Sequence, residues 1–209
     1  MRYCMHEPIS NFSRTAVDRR VLTQDLAMTA ATATRPLSLD DINRFDAKAF
    51  TNAFGKVYEH SPWIAERAFS RRPADGFASI AALHASLLAT LGAASRDEQI
   101  ALLRAHPELA GVETAAGTLT DDSKREQQAA GLNALTAGDV ARLRSLNSRY
   151  RDRFGFPFII AARNNTQPAI FGTLEARLHN TTDMELENAL AQVGEIARLR
   201  LVAMTSIAA

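Results

Sequence analysis

The chain has 209 residues, a formal net charge of +1 and 46% hydrophobic residues. This length suits one globular domain with a short appendage, and the hydrophobic share is sufficient for a packed core. The balance of 24 basic against 23 acidic residues gives no electrostatic reason to expect a nucleic-acid or membrane partner. With Cys4 as the single cysteine, no intrachain disulfide can form, and a reducing, cytoplasmic compartment is expected.

The sequence lacks the motifs that usually hold metals and cofactors. No group of cysteines and histidines has zinc-ligand spacing, and no glycine-rich phosphate-binding loop is present. No apolar run approaches the roughly 20 residues that a membrane-spanning helix needs. We therefore expect a soluble protein without a metal or cofactor site.

The first part of the chain, residues 1–36, differs in composition from the rest. It has no sustained helical period, and it ends in an Ala/Thr-rich run before Pro36. A transit peptide would be poor in acidic residues, whereas this stretch contains several. We expect a flexible extension, with Met28 as an alternative start, followed by one helical domain over 37–209.

From Ser38 onward, most of the sequence has the pattern of consecutive α-helices. Apolar residues recur at intervals of three and four, which places them on one face of a helix. The predicted apolar faces are Phe50, Phe54, Val57 and Tyr58; Ile80, Leu83, Leu87, Leu88 and Leu91; and Val140, Leu143, Leu146 and Tyr150. With the remaining helical stretches, the pattern predicts an all-α fold of about seven or eight helices.

Residues typical of helix ends separate these apolar faces. Serine or threonine followed three residues later by an acidic residue forms a capping box, and proline is favoured at the first helical position. Gly155 is the expected end of the helix that contains Tyr150. The predicted helix starts are Ser38 with Asp41, Ser61 with Pro62, Ser95 with Glu98, and Thr182 with Glu185. The last of these begins a long helix that should end near Met204.

The stretch "FPFIIAARN", residues 156–164, is the exception to the helical pattern. Its β-branched and aromatic residues favour a short buried strand, but no second β-rich run is present to pair with it. We therefore predict an irregular buried segment whose backbone amides need a polar partner, which a ligand could supply.

The stretch "SKREQQAAG", residues 123–131, places Ser123, Glu126 and Gln127 on one face of a predicted helix. Ala130 and Gly131 should continue that face and leave room beside it, as the wall of a ligand site would. Spacing alone favours the alternative, a solvated helix face that begins at a capping serine.

Arg200 lies on the predicted apolar face of the final helix, four residues after Ile196 and four before Met204. Arg198 points elsewhere on that helix, toward Glu195 and Gln192. A guanidinium on a buried face must be paired, because an isolated buried charge is costly. Arg200 is therefore either half of a structural salt bridge or a clamp for an anionic or urea-like ligand.

His106 stands at the end of a predicted helix, directly before Pro107. A surface histidine there would interact favourably with the helix dipole. A histidine turned inward would suit acid–base chemistry. Spacing alone does not decide between the two.

These motifs together resemble the 2-oxo-4-hydroxy-4-carboxy-5-ureidoimidazoline (OHCU) decarboxylases of urate breakdown. The resemblance covers about residues 37–205. Its motifs, in chain order, are "HSPWIAE" (60–66), "HPELAG" (106–111), "SKREQ" (123–127), "RFGFPFIIAARN" (153–164) and "EIARLRL" (195–201). Glu108 stands where many relatives have aspartate, which is a conservative departure.

The resemblance implies an all-helical, cofactor-free enzyme, usually a homodimer, that converts OHCU to (S)-allantoin and carbon dioxide. It implies that His106 is the general acid and that Glu126 orients the imidazole or binds ureido N–H groups. The substrate-binding positions that it implies are Pro107, Ser123, Glu126, Gln127, Phe158, Ile159, Ile160, Ala161, Ala162 and Arg200.

The chemistry implied by the resemblance suits these residue types. Loss of carbon dioxide leaves electron density that the adjacent ring C=N can delocalise, so no thiamine or pyridoxal is required. A histidine with a pKa near neutrality can deliver the single proton that remains to be added. Two alternatives stay open, namely a related ureido-acid decarboxylase or hydrolase and a helical ligand-binding module without catalysis.

Overall fold

The computed structural model describes residues 35–111 and 119–205. The chain divides into two units, Met1–Arg35 and Pro36–Ala209, and all but one of the described residues belong to the second. The predicted extension over 1–36 lies almost wholly outside the described residues, so its flexibility stays a prediction.

Within the described ranges the chain forms nine α-helices and no strand. They are α1 (Leu39–Arg44), α2 (Ala47–Phe54), α3 (Trp63–Ser70), α4 (Ile80–Gly92), α5 (Arg96–Arg104), α6 (Asp121–Ala129), α7 (Ala137–Phe154), α8 (Gln167–Arg177) and α9 (Thr182–Met204). Two short 3-10 turns, Leu132–Ala134 and Ala162–Asn164, follow α6 and precede α8. The all-α prediction is confirmed. In the first predicted apolar face, Phe50 and Phe54 belong to α2, whereas Val57 and Tyr58 belong to the turn that follows it.

The long helix α9 lies against the rest of the domain and carries the site arginine. It packs against α4 and α5, while α2 packs on α3 and α3 on α4. The predicted apolar face of α9 is buried at Leu186, Val193, Ile196 and Ala197, and Arg200 shares that face. Because this face of α9 is buried, any polar group on it must find partners inside the protein.

Two of the predicted helix starts are correct, both in the capping residue and in the hydrogen bonds of the capping box. Ser38 and Ser95 each accept a hydrogen bond from the backbone of the acidic residue three positions later, and that acidic side chain bonds back to the serine amide. These reciprocal bonds satisfy amides that have no partner within the helix.

The other two predicted starts are wrong by one residue. Pro62, not Ser61, is the N-cap of α3, and it makes no side-chain cap. Thr181, not Thr182, caps α9 through the amide of Met184. Glu185 does not complete a capping box because its carboxylate is buried in an ion pair with Arg177.

The irregular buried segment predicted after α7 is confirmed. Gly155 ends α7 with a φ of 79°, in the left-handed region that glycine adopts readily. Residues 156–162 are then buried without forming helix or strand until the 3-10 turn begins at Ala162.

No helix among the described residues combines the length and the apolar character that crossing a membrane requires.

Candidate functional site

Four separate parts of the chain surround one cleft beside α9. The cleft is small, with a cavity volume of about 30 Å³. Its walls are the turn after α5, the inner face of α6, the irregular segment after α7 and the last third of α9. The predicted site residues that line it are His106, Pro107, Ser123, Glu126, Gln127, Phe158, Ile159, Ile160, Ala162 and Arg200. Ala161 does not line it.

His106 enters the cleft because α5 ends two residues earlier. The last helical residue is Arg104, and Pro107 lacks the amide that a continuing helix would need. The His106 side chain is buried, with Nδ1 at 3.3 Å from the carbonyl oxygen of Leu102. A carbonyl only accepts, so Nδ1 carries a hydrogen and Nε2 is the nitrogen left for a ligand.

Burial lowers the pKa of His106, and the nearby carboxylate of Glu59 opposes that effect. Arg200 and His60 add to the lowering through their positive charge. In the empty cleft the imidazole therefore favours its neutral form. A negatively charged ligand would raise its pKa and favour the imidazolium.

The face of α6 that was predicted as a ligand wall does face the cleft. Thr120 caps the helix through the amide of Ser123, and both Ser123 and Gln127 are buried. The Gln127 Oε1 accepts the amide of Ala110 at 3.0 Å, which ties α6 to the turn after α5. The prediction that Gly131 continues this face is wrong, because Gly131 adopts a φ of 72° after the helix has ended.

Arg200 is fully buried and holds two carboxylates. Its Nε and Nη2 lie 2.8 Å from the two oxygens of Glu126, a bidentate pair. Its Nη2 also lies 2.7 Å from Oε1 of Glu59, and Nη1 donates to the carbonyl of Val57 at 3.2 Å. Glu126 and Glu59 outweigh the effect of burial and raise the pKa of Arg200, which stays charged.

The ion pairs of Arg200 limit how it can bind a ligand. A guanidinium has five N–H groups, and the planar fork of Nε and Nη2 already grips Glu126. Since Nη1 has two hydrogens and one described acceptor, Arg200 can offer a ligand one N–H without releasing a carboxylate. A bidentate grip on a substrate would require displacement of Glu126.

Arg198 and Arg200 differ in exposure, as their positions around the helix predict. The Arg198 side chain is 47% exposed and forms an i,i+3 pair with Glu195, whereas that of Arg200 is 4% exposed. Of the two neighbours predicted for Arg198, Glu195 is confirmed, whereas Gln192 bonds to the Ala161 amide. Of the two arginines, Arg200 lines the cleft.

The irregular segment is held from behind by side chains rather than by a ligand. Gln192 on α9 accepts the amide of Ala161 at 2.9 Å, and Arg177 on α8 donates to the carbonyl of Ile159 at 2.8 Å. Arg177 is in turn fixed by the buried Glu185. In this structure Gln192, rather than a ligand, is the partner of the Ala161 amide, while Phe158, Ile159 and Ile160 line the cleft.

Three contributors to the site were not predicted from the sequence. Leu109 and Ile196 line the cleft, and Glu59 holds Arg200 from outside it. Ile196 belongs to the apolar face of α9, and that pattern predicts a core residue as readily as a site residue. Glu59 directly precedes the "HSPWIAE" stretch, but no periodicity marks it, and its partner lies 141 positions away.

Glu59 is buried and adopts a φ of 47°, which is unusual for a residue other than glycine. Burial would raise its pKa, but the Ser123 hydroxyl and the Arg200 guanidinium outweigh burial and hold the pKa below its usual value. The carboxylate is therefore ionised at neutral pH. Over the described ranges, no group of three or more His, Cys, Asp or Glu side chains is arranged to hold a metal ion.

Comparison with known proteins identifies the group of proteins that this chain resembles. A family model described as OHCU decarboxylase matches residues 43–202. The 2-oxo-4-hydroxy-4-carboxy-5-ureidoimidazoline decarboxylase of Haloferax volcanii is 42% identical over 165 residues, which cover 79% of this chain and 94% of the relative.

Two further relatives are similar over most of this chain and part of their own. The uric acid degradation bifunctional protein PucL of Bacillus subtilis is 40% identical over 164 residues, which cover 78% of this chain and 32% of that protein. The crystal structure of (S)-allantoin synthase superposes with a TM-score of 0.64 at 29% identity, over 82% of this chain and 54% of that chain.

Proposed function

Because this chain belongs to the OHCU decarboxylase family, we propose that it converts OHCU to (S)-allantoin and carbon dioxide in urate degradation. The observation that supports this proposal most strongly is the cleft, where His106, the inner face of α6, the irregular segment and Arg200 lie together. These parts come from four motifs that are far apart in the sequence. Their convergence at one cavity supports a common ligand.

In this proposal His106 is the general acid. Nδ1 is held by the Leu102 carbonyl, so Nε2 delivers the proton to one face of the carbon that has lost its carboxylate. Burial keeps the imidazole neutral until the anionic substrate enters and raises its pKa. Protonation of the acid is thereby coupled to substrate binding.

The remaining groups hold the substrate in place. Glu126 is held by Arg200, and its carboxylate either binds ureido N–H groups or orients the imidazole of His106. The remaining N–H of Arg200 and the Ser123 hydroxyl provide polar contacts on the same side. Phe158, Ile159 and Ile160 form an apolar wall that shields the developing negative charge from water.

The reaction makes this protein a carbon–carbon lyase that needs no cofactor, because the substrate's own C=N accepts the electron pair. A homodimer and a cytoplasmic location complete the proposal. The homodimer follows from the family resemblance, and the single cysteine favours a reducing compartment.

Optical activity tests this function directly. OHCU generated freshly from urate by urate oxidase and hydroxyisourate hydrolase decays spontaneously to racemic allantoin. With this protein present, we expect faster loss of OHCU and an excess of the S enantiomer. Faster loss of another ureido acid with OHCU untouched would favour the related decarboxylase or hydrolase. Binding of allantoin without any acceleration would favour a ligand-binding module.

A further inference from the structure

The buried carboxylate of Glu59 lies outside the cleft but contacts two residues of its wall. We propose that Glu59 is a positioning residue for this site, which fixes the Arg200 guanidinium and the Ser123 hydroxyl that line the cleft. The inference rests on the proposed function, and it adds a residue that none of the resembling motifs contains.

One oxygen of Glu59 joins two helices of the site. Oε1 accepts the Ser123 hydroxyl, the Thr120 hydroxyl at 3.2 Å and Nη2 of Arg200 at 2.7 Å. Thr120 and Ser123 belong to the start of α6, and Arg200 belongs to α9. A single carboxylate thus fixes the distance between the helix that holds Glu126 and the helix that holds Arg200.

Two unfavourable features of Glu59 require a compensating role. Its Oε2 is buried and receives no hydrogen bond from any residue that the structure describes. Its backbone lies in the left-handed region, held there by the bonds from its amide to Lys56 and from the Ser61 amide to its own carbonyl. Both features cost free energy, and such costs concentrate at functional sites.

The charge of Glu59 distinguishes positioning from simple packing. The charged and titratable groups that act on His106 are Glu59, Arg200 and His60. Arg200 and His60 disfavour the imidazolium, and Glu59 is the one that favours it. Removing this negative charge should therefore leave His106 harder to protonate, even if the fold is unchanged.

The variants Glu59→Gln and Glu59→Asp separate charge from geometry. Glu59→Gln keeps the shape of the side chain and removes its charge, so we expect the pKa of His106, followed by NMR titration of its ring protons, to fall. A general acid works below its pKa. The basic limb of the kcat/KM profile should therefore move to lower pH by the same amount, and each pH unit of that shift lowers the rate above the limb about tenfold.

Glu59→Asp keeps the charge and shortens the side chain. We expect its basic limb to stay close to that of the wild type while KM rises, because Arg200 and Ser123 lose their hydrogen bonds to Oε1. The matched control is Glu185→Gln, which removes another buried carboxylate paired with an arginine, away from His106. It should lower the melting temperature without moving the His106 titration.

The outcomes are distinct. An unchanged His106 titration and an unchanged KM in Glu59→Gln would overturn the inference, whatever happened to its melting temperature. If Glu59→Gln does not fold, an unchanged KM in Glu59→Asp would overturn it. If the wild type forms no excess of (S)-allantoin, the proposed function fails, but the NMR titration still tests the action of Glu59 on His106.

Discussion

At the scale of single residues, the proposed mechanism depends on the imidazole of His106, which is buried and lines the cleft. His106→Asn removes the proton donor and keeps a similar shape and polarity. Since general acid catalysis contributes typically ~10²–10⁴-fold, we expect kcat to fall within that range while allantoin still binds. Steady-state kinetics with OHCU and calorimetric titration with allantoin measure the two effects. Turnover near that of the wild type would falsify the assignment.

Two substitutions separate the structural role of Arg200 from its proposed role in the reaction. Arg200→Ala leaves Glu59 and Glu126 without their shared cation, so we expect a loss of stability on the order of 3–5 kcal/mol. Arg200→Lys keeps the charge but loses the planar fork that grips Glu126. Its defect should appear mainly in kcat/KM, with a modest drop in melting temperature.

The matched control for Arg200 is Arg198→Ala on the exposed face of the same helix. Its pair with Glu195 is solvent-exposed and contributes little to stability, so both kinetics and melting temperature should stay near wild-type values. Normal kinetics combined with a collapsed melting temperature in Arg200→Ala would assign Arg200 a purely structural role.

The sequence predicts the burial of Arg200 but not its partners. Helical periodicity alone places Arg200 on the buried face and Arg198 off it, because the period is local. The identity of Glu59 as a partner depends on a contact between residues 141 positions apart and on a left-handed backbone. Neither the long-range contact nor the left-handed backbone produces a periodic pattern in the sequence.

At the scale of helices and segments, the irregular stretch after α7 shows how composition predicts burial better than hydrogen bonding. Its apolar residues and the absence of a pairing strand predict a buried, non-regular segment, and the structure confirms this. The same reasoning said that its amides need a polar partner and named a ligand as one that could supply it. In the structure Gln192 accepts the amide of Ala161, a contact that requires knowledge of how α9 packs.

Gln192→Ala should therefore loosen the cleft wall without touching the ligand. It leaves the Ala161 amide without its acceptor, which costs roughly 1–3 kcal/mol. For a chain of this length that lowers the melting temperature by roughly 2–4 °C per kcal/mol, and KM should rise because Ile160 and Ala162 lose their fixed positions. Asn188→Ala, at an exposed position one turn earlier on α9, is the control. Equal melting temperatures and KM values for the two variants would contradict this role of Gln192.

The start of α9 shows why helix boundaries are harder to predict than helices. Thr182 and Glu185 have capping-box spacing, but the adjacent Thr181 takes the cap. Glu185 is then free to turn inward, where it accepts the Tyr150 hydroxyl and pairs with Arg177. A local spacing rule cannot distinguish a carboxylate that caps its own helix from one that supports a neighbouring helix.

At the scale of the whole molecule, Leu37 is bonded to the C-terminal end of the last helix. The amide of Leu37 donates to the carbonyl of Met204 at 2.9 Å, and Leu37 forms a bridge with Thr205. Ser38 then caps α1. The sequence places the boundary at residue 36 or 37 from composition alone, and these contacts make Leu37 part of the domain.

Two truncations test that boundary. Deletion of residues 1–34 should leave melting temperature and activity unchanged, because that stretch has no periodic apolar face with which to pack. Deletion of residues 1–37 also removes the Leu37 amide and its side chain, which packs against the core. The lost hydrogen bond alone is worth roughly 1 kcal/mol, so the longer deletion should melt at least ~2–4 °C lower. A large fall in melting temperature already on deletion of 1–34 would show that the extension packs on the domain. It would then have to be counted as part of the fold rather than as an appendage.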